Sequence, residues 1–360
     1  MFLRNQVELS KLENRNMKSI RLAIAGLGLV GKRHAQAITQ LEGVELAAVI
    51  DVAPGSAEDA NALRAAHFGD LEDCLAAGGL DGIILATPTP QHVEQATACV
   101  NFGLPTLIEK PIGVSVEEAS RLVEHAAKKD VPLVVGHHRR HNPLIAKARE
   151  LVDSGVLGDI RAVHAQCWFH KPDDYFAEAP WRTQKGAGPI SVNLVHDVDL
   201  LRYLVGEITS VHAEALPSRR GGENEELAGA LLRFANGAVG TLSVADGIAS
   251  PWSWEHTSGE YPIYPVTQES CYRLGGTEGS LSVPDLKLWK HEGGNSWWNP
   301  ISATQHPRGS ADPLVAQMAQ FAAVIRGDEK PLVSGAEGLA TFAVIEAIQW
   351  SADTGERVVL

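Results

Sequence analysis

Cysteine is scarce in this 360-residue sequence, and the four present (Cys74, Cys99, Cys167, Cys271) are scattered with no close pair. That excludes a zinc ribbon and a dense disulfide frame, and it points to a reducing, cytoplasmic compartment. No apolar run approaches the roughly 20 residues that cross a bilayer. The first sixteen residues, Met1 to Asn16, lack a signal-peptide core. Basic residues are outnumbered, 31 Lys and Arg against 44 Asp and Glu, leaving a formal net charge of -13. A nucleic-acid groove needs a basic face, and so does adhesion to an anionic membrane; neither partner is expected. Internal repeats and low-complexity tracts are also missing.

What is present is an ordinary globular composition, 44% hydrophobic and 21% charged, long enough for about two domains. Met17 directly precedes the first strand, so residues 1–16 read as an N-terminal extension outside the fold. From Ile20 to Gly136 strand and helix signals alternate. Strands are expected at Ile20–Gly26, Val44–Asp51, Gly82–Ala86, Thr106–Glu109 and Pro132–Gly136. The helices are expected at Val30–Leu41, Ser56–Ala66, Leu71–Ala77, Gln91–Phe102 and Val116–Lys129. Alternation of this kind builds βαβ units on a parallel sheet. After Pro143 the pattern changes. Helices at Leu144–Asp153 and Ile190–Leu204 flank a strand at Ile160–Phe169. A strand-rich stretch then runs to Trp289 and includes a hairpin, Leu227–Phe234 with Ala238–Val244, around Asn236-Gly237. Helices at Pro313–Ile325 and Gly338–Ala352 close the chain. The expectation is an α/β protein: a doubly wound parallel domain over 17–140, and an α+β domain with a large, mostly antiparallel open sheet over 141–360. The closing helices could pack back on the first domain.

Gly26-Leu27-Gly28-Leu29-Val30-Gly31 is a GxGxxG segment with a strand before it and a helix after it, the context that gives the motif meaning. Gly26 permits the turn, Gly28 lets backbone approach a pyrophosphate, and Gly31 lets the helix pack on the strand. Leu29 and Val30 open that helix, whose N–H groups and dipole favour phosphate. Asp51 ends the second strand 20 residues after Gly31, where a carboxylate would accept hydrogen bonds from a ribose 2′-OH and repel a 2′-phosphate. The dinucleotide expected in this Rossmann domain is therefore NAD rather than NADP. A second cofactor wall is expected at Thr87-Pro88-Thr89, with His92 on the following helix. Glu109-Lys110-Pro111 lies at the end of another parallel strand, so Lys110 could hold an alkoxide-like oxygen by charge.

The ordered set GLGLVGKRHA, ATPTPQHVEQA, IEKP, GHHRRHNP, GAGPISVNLVHDVDLLRYL and GGTEGSL resembles the glucose–fructose oxidoreductase / inositol dehydrogenase family (Gfo/Idh/MocA) from about Lys18 to the C-terminus. The resemblance implies a hydride transfer between nicotinamide and a carbinol carbon of a polyol-like substrate: an inositol, an aldose or a related sugar. It also implies a homodimer or homotetramer formed through the C-terminal sheet. Carried over residue by residue, the catalytic pair is Lys110 and His196, with Glu109 and Lys110 also at the cofactor, and the Lys110–Pro111 bond is cis. Many members have an Asp four residues before the histidine; here that position is Val192. Asn193, three before His196, lies on the same helical face; it can orient a hydroxyl but cannot take a proton. Asp197 and Asp199 point elsewhere on the helix.

His137-His138-Arg139-Arg140-His141 invites a metal reading. Three histidines at this spacing would not converge, and no cysteine or carboxylate completes a set, so no metal is expected. His138 and Arg139 are instead candidates for the substrate pocket, as are Lys171, Tyr175 and Trp181, which could grip hydroxyls or stack on a ring. The aromatic stretch Ala249 to Pro265, with Trp252 and Trp254, is expected to be packed or substrate-facing. The run Arg219, Arg220, Glu223, Glu225, Glu226 reads as a solvated loop. Three alternatives stay open at this level: an oxidoreductase acting on an aromatic cis-dihydrodiol, a cofactor-retaining sugar–sugar oxidoreductase, and a non-catalytic dinucleotide-binding sensor.

Overall fold

The computed structural model describes residues 19–360; the expected extension, 1–16, lies outside them. The described chain divides into two compact units. The first runs to Gly136 and includes Leu314–Gly335; the second comprises His137–Pro313 and Ala336–Leu360.

The first unit is a six-stranded sheet of β1 (Ile20–Ala25), β2 (Val44–Ile50), β3 (Ala66–Phe68), β4 (Gly82–Leu85), β5 (Thr106–Ile108) and β6 (Leu133–Val135), in the order β3-β2-β1-β4-β5-β6. Every pairing is parallel. This is the doubly wound order, whose ligands bind outside the carboxyl ends of the strands. The strands are near-continuous apolar runs because both faces are covered; in β1 only Arg21 escapes burial. Helices α1 (Leu29–Ile38), α2 (Ser56–Ala62), α3 (Leu71–Ala77), α4 (His92–Asn101) and α5 (Val116–Lys129) connect them. Helix α2 stops short of the expected Ala66: Arg64 takes a left-handed φ of 59° and the chain turns into the unforeseen β3.

The second unit begins at His137, four residues before the expected boundary. Its helix α6 (Pro143–Asp153) starts with Asn142 as N-cap, the Asn side chain accepting from Leu144 N–H. The nine-stranded sheet holds β7 (Ile160–Trp168), β8 (Ile208–Pro217), β9 (Glu225–Phe234), β10 (Val239–Ala245), β11 (Tyr272–Gly276), β12 (Ser280–Val283), β13 (Lys287–His291), β14 (Ile301–Gln305) and β15 (Val358–Val359). The order is β14-β13-β12-β11-β7-β10-β9-β8-β15, and only β7 with β10 is parallel. β14 and β15 extend the sheet beyond the expected limit at Trp289. The hairpin turn at Asn236-Gly237 is present, with Gly237 at φ 86°. One sheet face packs on a core fed by Leu144, Ile145 and Ala148 of α6 and by Val344, Ile345 and Ile348. The latter three lie on α11 (Gly335–Thr354), nearly all of which belongs to this unit. The other closing helix, α10 (Pro313–Arg326), belongs to the first unit. There Leu314, Met318, Phe321 and Ala322 form one helical stripe packed among Leu22, Ile24 and Ile84. Each large side chain so buried stabilises by roughly 1.5–3 kcal/mol.

The helix expected at Ile190–Leu204 is two pieces. Ile190–Leu194 is a π-helical turn, and α8 (Val195–Val205) follows. The buried Glu225 accepts the Ile190 N–H at 3.0 Å, and Gly188 lies so close to it that a Cβ would fall 2.1 Å from its carboxylate. That carboxylate fixes the turn's entry, and single π turns often mark functional positions.

Candidate active site

In the first unit the predicted cofactor residues gather at the carboxyl ends of β1, β2, β4 and β5. Gly26 adopts φ 87°, and a Cβ there would lie 2.6 Å from the Ala86 carbonyl oxygen. At Gly31 a Cβ would lie 1.9 Å from the Gly26 carbonyl oxygen. Both contacts are backbone, so only glycine fits. Gly28 has nothing within 4 Å of its Cβ direction, leaving open backbone where a pyrophosphate would approach. Leu29, at 78% exposure, and Val30 stand in solvent at the start of α1, apolar surface that a bound dinucleotide would cover. Asp51 closes the loop from the neighbouring strand: its Oδ2 accepts from Leu27 N–H at 2.6 Å and its Oδ1 from Ala53 N–H at 2.7 Å. The other wall is tied by buried His92, whose ring nitrogens meet the Thr87 carbonyl at 2.8 Å and the Pro111 carbonyl at 2.9 Å. His92 is thus a strut between Thr87-Pro88-Thr89 and the Lys110 turn. The Lys110–Pro111 bond is cis. Glu109 turns inward; its Oε1 lies 2.7 Å from Nε2 of the fully buried His34 on α1. The residues present fit a dinucleotide.

In the second unit His196 sits on the first turn of α8 and is 7% exposed. The His138 ring packs edge-on against it at 5.4 Å between centroids, and the His137 ring at 6.2 Å. His138 Nε2 is 3.1 Å from Glu260 Oε1, and Glu260 Oε2 accepts from Asn142 Nδ2 at 2.8 Å and Trp254 Nε1 at 2.9 Å. Burial would raise the Glu260 carboxyl, but His138, then the Arg139 charge and the Trp254 indole, hold it down to about 2. Burial pushes His141 down to about 4, with its cationic neighbours adding to the shift.

The remaining predicted substrate residues divide. Asn193, in the π turn, receives a hydrogen bond at its Oδ1 from Lys171 Nζ at 2.8 Å. Lys171 is directed inward, 3.3 Å from Asp246 Oδ2; burial pulls its pKa below the usual lysine value while Asp246 pushes it back. The Tyr175 ring is covered by the Arg182 guanidinium, 3.9 Å from its centroid, which leaves that face closed to a substrate ring. Trp181 is 53% exposed, with the Arg182 guanidinium 5.8 Å from its ring centroid. Arg139 is buried, its Nη2 2.6 Å from Glu255 Oε1 and its guanidinium over the Trp254 ring. It braces the aromatic stretch, where Trp254 is packed in the core. The run expected to be a solvated loop is solvated only at Arg219 and Glu223. Glu225 is buried under the π turn, and Arg220 Nη1 reaches Asp246 Oδ1 at 3.1 Å. An unpaired buried Asp246 would be costly, and that pairing draws the loop in. Glu260, Asp246 and Glu255 had no local signal; their partners are far away in sequence.

Comparison with known proteins now decides the family. Residues 20–137 match the GFO/IDH/MocA model for an oxidoreductase family with an NAD-binding Rossmann fold, and residues 145–282 match the family's C-terminal domain. The chain belongs to the Gfo/Idh/MocA oxidoreductases. A 4-carboxy-2-hydroxymuconate-6-semialdehyde dehydrogenase from Sphingobium is 31% identical over 63% of this chain and 72% of its own. An inositol 2-dehydrogenase from Mycolicibacterium gilvum is 31% identical over 79% of this chain and 77% of its own. Across eight such relatives the matched stretch covers 52% to 77% of the relative's length. Among solved structures, the WlbA dehydrogenase from Bordetella pertussis, in complex with NADH and UDP-GlcNAcA, superposes with a TM-score of 0.77 at 27% identity over 95% of this chain and 99% of that one. The first unit of this oxidoreductase is its NAD-binding domain.

Proposed function

We propose that this oxidoreductase is an NAD-dependent dehydrogenase that oxidises a carbinol of a polyol-like substrate, an inositol, aldose or related sugar, with His196 as base. The observation that carries the reading is the buried His196 at the head of α8, edged by His138 and held beside Asn193, in a chain whose other unit binds NAD. The names of its relatives, inositol dehydrogenases and a levoglucosan dehydrogenase among them, support a hydroxyl-rich substrate. Gly26, Gly28, Leu29, Val30, Gly31 and Asp51 would hold NAD, with Thr87, Pro88, Thr89 and the Glu109–Lys110 turn on the opposite wall. NAD, when bound, supplies the ring carbon that accepts the hydride.

The chain's own residues handle the proton and the charge. A neutral His196 ring nitrogen takes the hydroxyl proton as the C–H bond breaks. The Lys110 ammonium would supply positive charge to stabilise a developing alkoxide. Asn193 orients the substrate, and the exposed Trp181 indole offers it an apolar face. His196→Ala should lower kcat/KM for the best polyol by about 100- to 10,000-fold with NADH binding unchanged. Near-full activity would remove His196 as base. Cytoplasmic residence fits four cysteines that are all buried and unbridged. Self-association through the sheet's outer face fits the exposed Leu216, Leu231 and Val239.

A further inference from the structure

We propose, resting on the dehydrogenase reading above, that Lys171 does not grip substrate but fixes the Asn193 amide, so that this position offers N–H donors and selects a substrate oxygen able to accept them. A ring ether, a carbonyl, a carboxylate or a hydroxyl lone pair meets that requirement.

An ammonium only donates, with three N–H bonds and no acceptor. The amide atom facing Lys171 at 2.8 Å is therefore the oxygen. The Lys171 ammonium donates to Asn193 Oδ1 and pairs as an ion with Asp246 Oδ2 at 3.3 Å. It also lies 5.0 and 5.5 Å from the ring centroids of Tyr175 and Phe169, a favourable cation–π environment. Its side chain is only 11% exposed, so its charge is spent on these neighbours.

The lysine is itself immobilised. Its backbone N–H donates to the Asp246 carbonyl at 2.9 Å. Asp246, 1% exposed, is clamped from the other side by Arg220, through Nη1 to Oδ1 at 3.1 Å and Nη2 to the backbone carbonyl at 2.9 Å. With its oxygen held by this chain of charges, the half-buried Asn193 points its NH2 away from Lys171. Asn193 thus reads the substrate, and Lys171, Asp246 and Arg220 position Asn193. A carboxylate at position 193 would pair with Lys171 and present no donor.

The test has two arms. In 15N-labelled protein loaded with NAD, the Asn193 side-chain NH2 signal is assigned by its loss in Asn193→Asp. Lys171→Met should move that signal and speed its exchange with water; an unchanged signal would overturn the lock. The second arm is kinetic, on the compound that wild type oxidises best. Asn193→Asp, which keeps shape but removes both donors, should raise KM at least tenfold, with the loss falling on KM more than on kcat. Asn193→Ala should match it, and Lys171→Met should add little on top of Asn193→Ala. An Asn193→Asp enzyme with wild-type or lower KM would show that the position accepts rather than donates and would sink the proposal. If wild type oxidises no polyol, the dehydrogenase reading fails while the spectral arm still decides the lock. Should Lys171→Met not fold, Asn193→Asp, which would keep Lys171 paired, decides alone.

Discussion

The candidate residues of the two units are set in place by different material. The cofactor loop is six consecutive residues, and its geometry comes from missing side chains: a Cβ at Gly31 would strike the loop's own Gly26 carbonyl oxygen, and a Cβ at Gly26 the Ala86 carbonyl oxygen just past β4. The surroundings of His196 come from side chains that converge from distant segments. Glu260 lies 122 residues from its partner His138, and Asp199 lies 59 from Arg140. A site built from backbone needs particular residues at particular spacings, so it leaves a readable string. A site built from convergent side chains needs only that charges be paired once the fold has formed, and many sequences satisfy that.

The comparison breaks most sharply at Gly31. Gly31→Ala puts a methyl 1.9 Å from a backbone oxygen that cannot swing away. NADH affinity, read by fluorescence titration, should fall at least about 100-fold, which is about 2.7 kcal/mol, and the melting temperature should drop with it. Gly28→Ala meets no atom within 4 Å, so stability without cofactor should hold while NADH binding weakens. Equal destabilisation by both changes would mean that the loop's shape does not rest on the Gly31 contact.

In the second half the test lies in two aspartates of α8, both fully buried and two residues apart. Asp199 accepts from Arg140 Nε at 2.9 Å and Nη2 at 2.8 Å, and from Thr341 Oγ1 at 3.1 Å. Burial would raise its carboxyl, but His137 and Arg140 outweigh that and hold it below the usual range. Asp197 accepts from the Tyr272 hydroxyl, and burial lifts it from 3.8 to about 6, with Arg139 opposing and Glu255 adding. Asp199→Asn should cost about 3–5 kcal/mol in denaturant unfolding, because it removes the buried partner charge of Arg140 and leaves it only the more exposed Glu337 at 2.9 Å. Asp197→Asn should cost little at pH 7. Its effect is instead on the pH profile. A carboxyl raised in the folded state contributes stability that is fully present below 3.8 and lost as pH rises through 6. The shift corresponds to roughly 3 kcal/mol. His141, held down to about 4, works in the opposite sense over part of this window, so the informative quantity is wild type minus Asp197→Asn, in which His141 cancels. A difference that stays flat between pH 4 and 7 would show that Asp197 titrates normally.

The parallel sheet, the glycine loop and Asp51 were legible because each is a local pattern with one physical reading. The antiparallel sheet was legible through its Asn-Gly hairpin, whereas β3, β14 and β15 are too short or too exposed to leave a periodic signal. The π turn at Ile190–Leu194 could not be read, since it depends on Glu225, 35 residues later. Lys171 and Arg139 are expected to line the substrate pocket; their buried counter-charges, Asp246 and Glu255, lie far off in sequence, so no local pattern announces them. Trp181 and Asn193 stand partly open to solvent as candidates for contact with substrate.

The smallest effect sharpens the comparison from the cofactor side, where one side chain does matter. Asp51 supplies both carboxylate oxygens to backbone N–H groups of Leu27 and Ala53, so it shapes the loop in addition to its proposed role at the ribose. A carboxylate has about four acceptor positions, which leaves room for ribose hydroxyls besides these two amides. Its charge should repel a 2′-phosphate whatever its hydrogen bonds. Asp51→Asn keeps the shape and removes the charge, so the NAD-over-NADP preference in kcat/KM should fall about tenfold, near 1.4 kcal/mol. Because an amide NH2 cannot accept from both backbone donors, NADH affinity should also fall a little. A preference that survives while affinity falls would mean that Asp51 serves the loop and that cofactor choice is made elsewhere. A lost preference with unchanged affinity would mean that the carboxylate acts through its charge alone and that the glycines suffice to hold the loop.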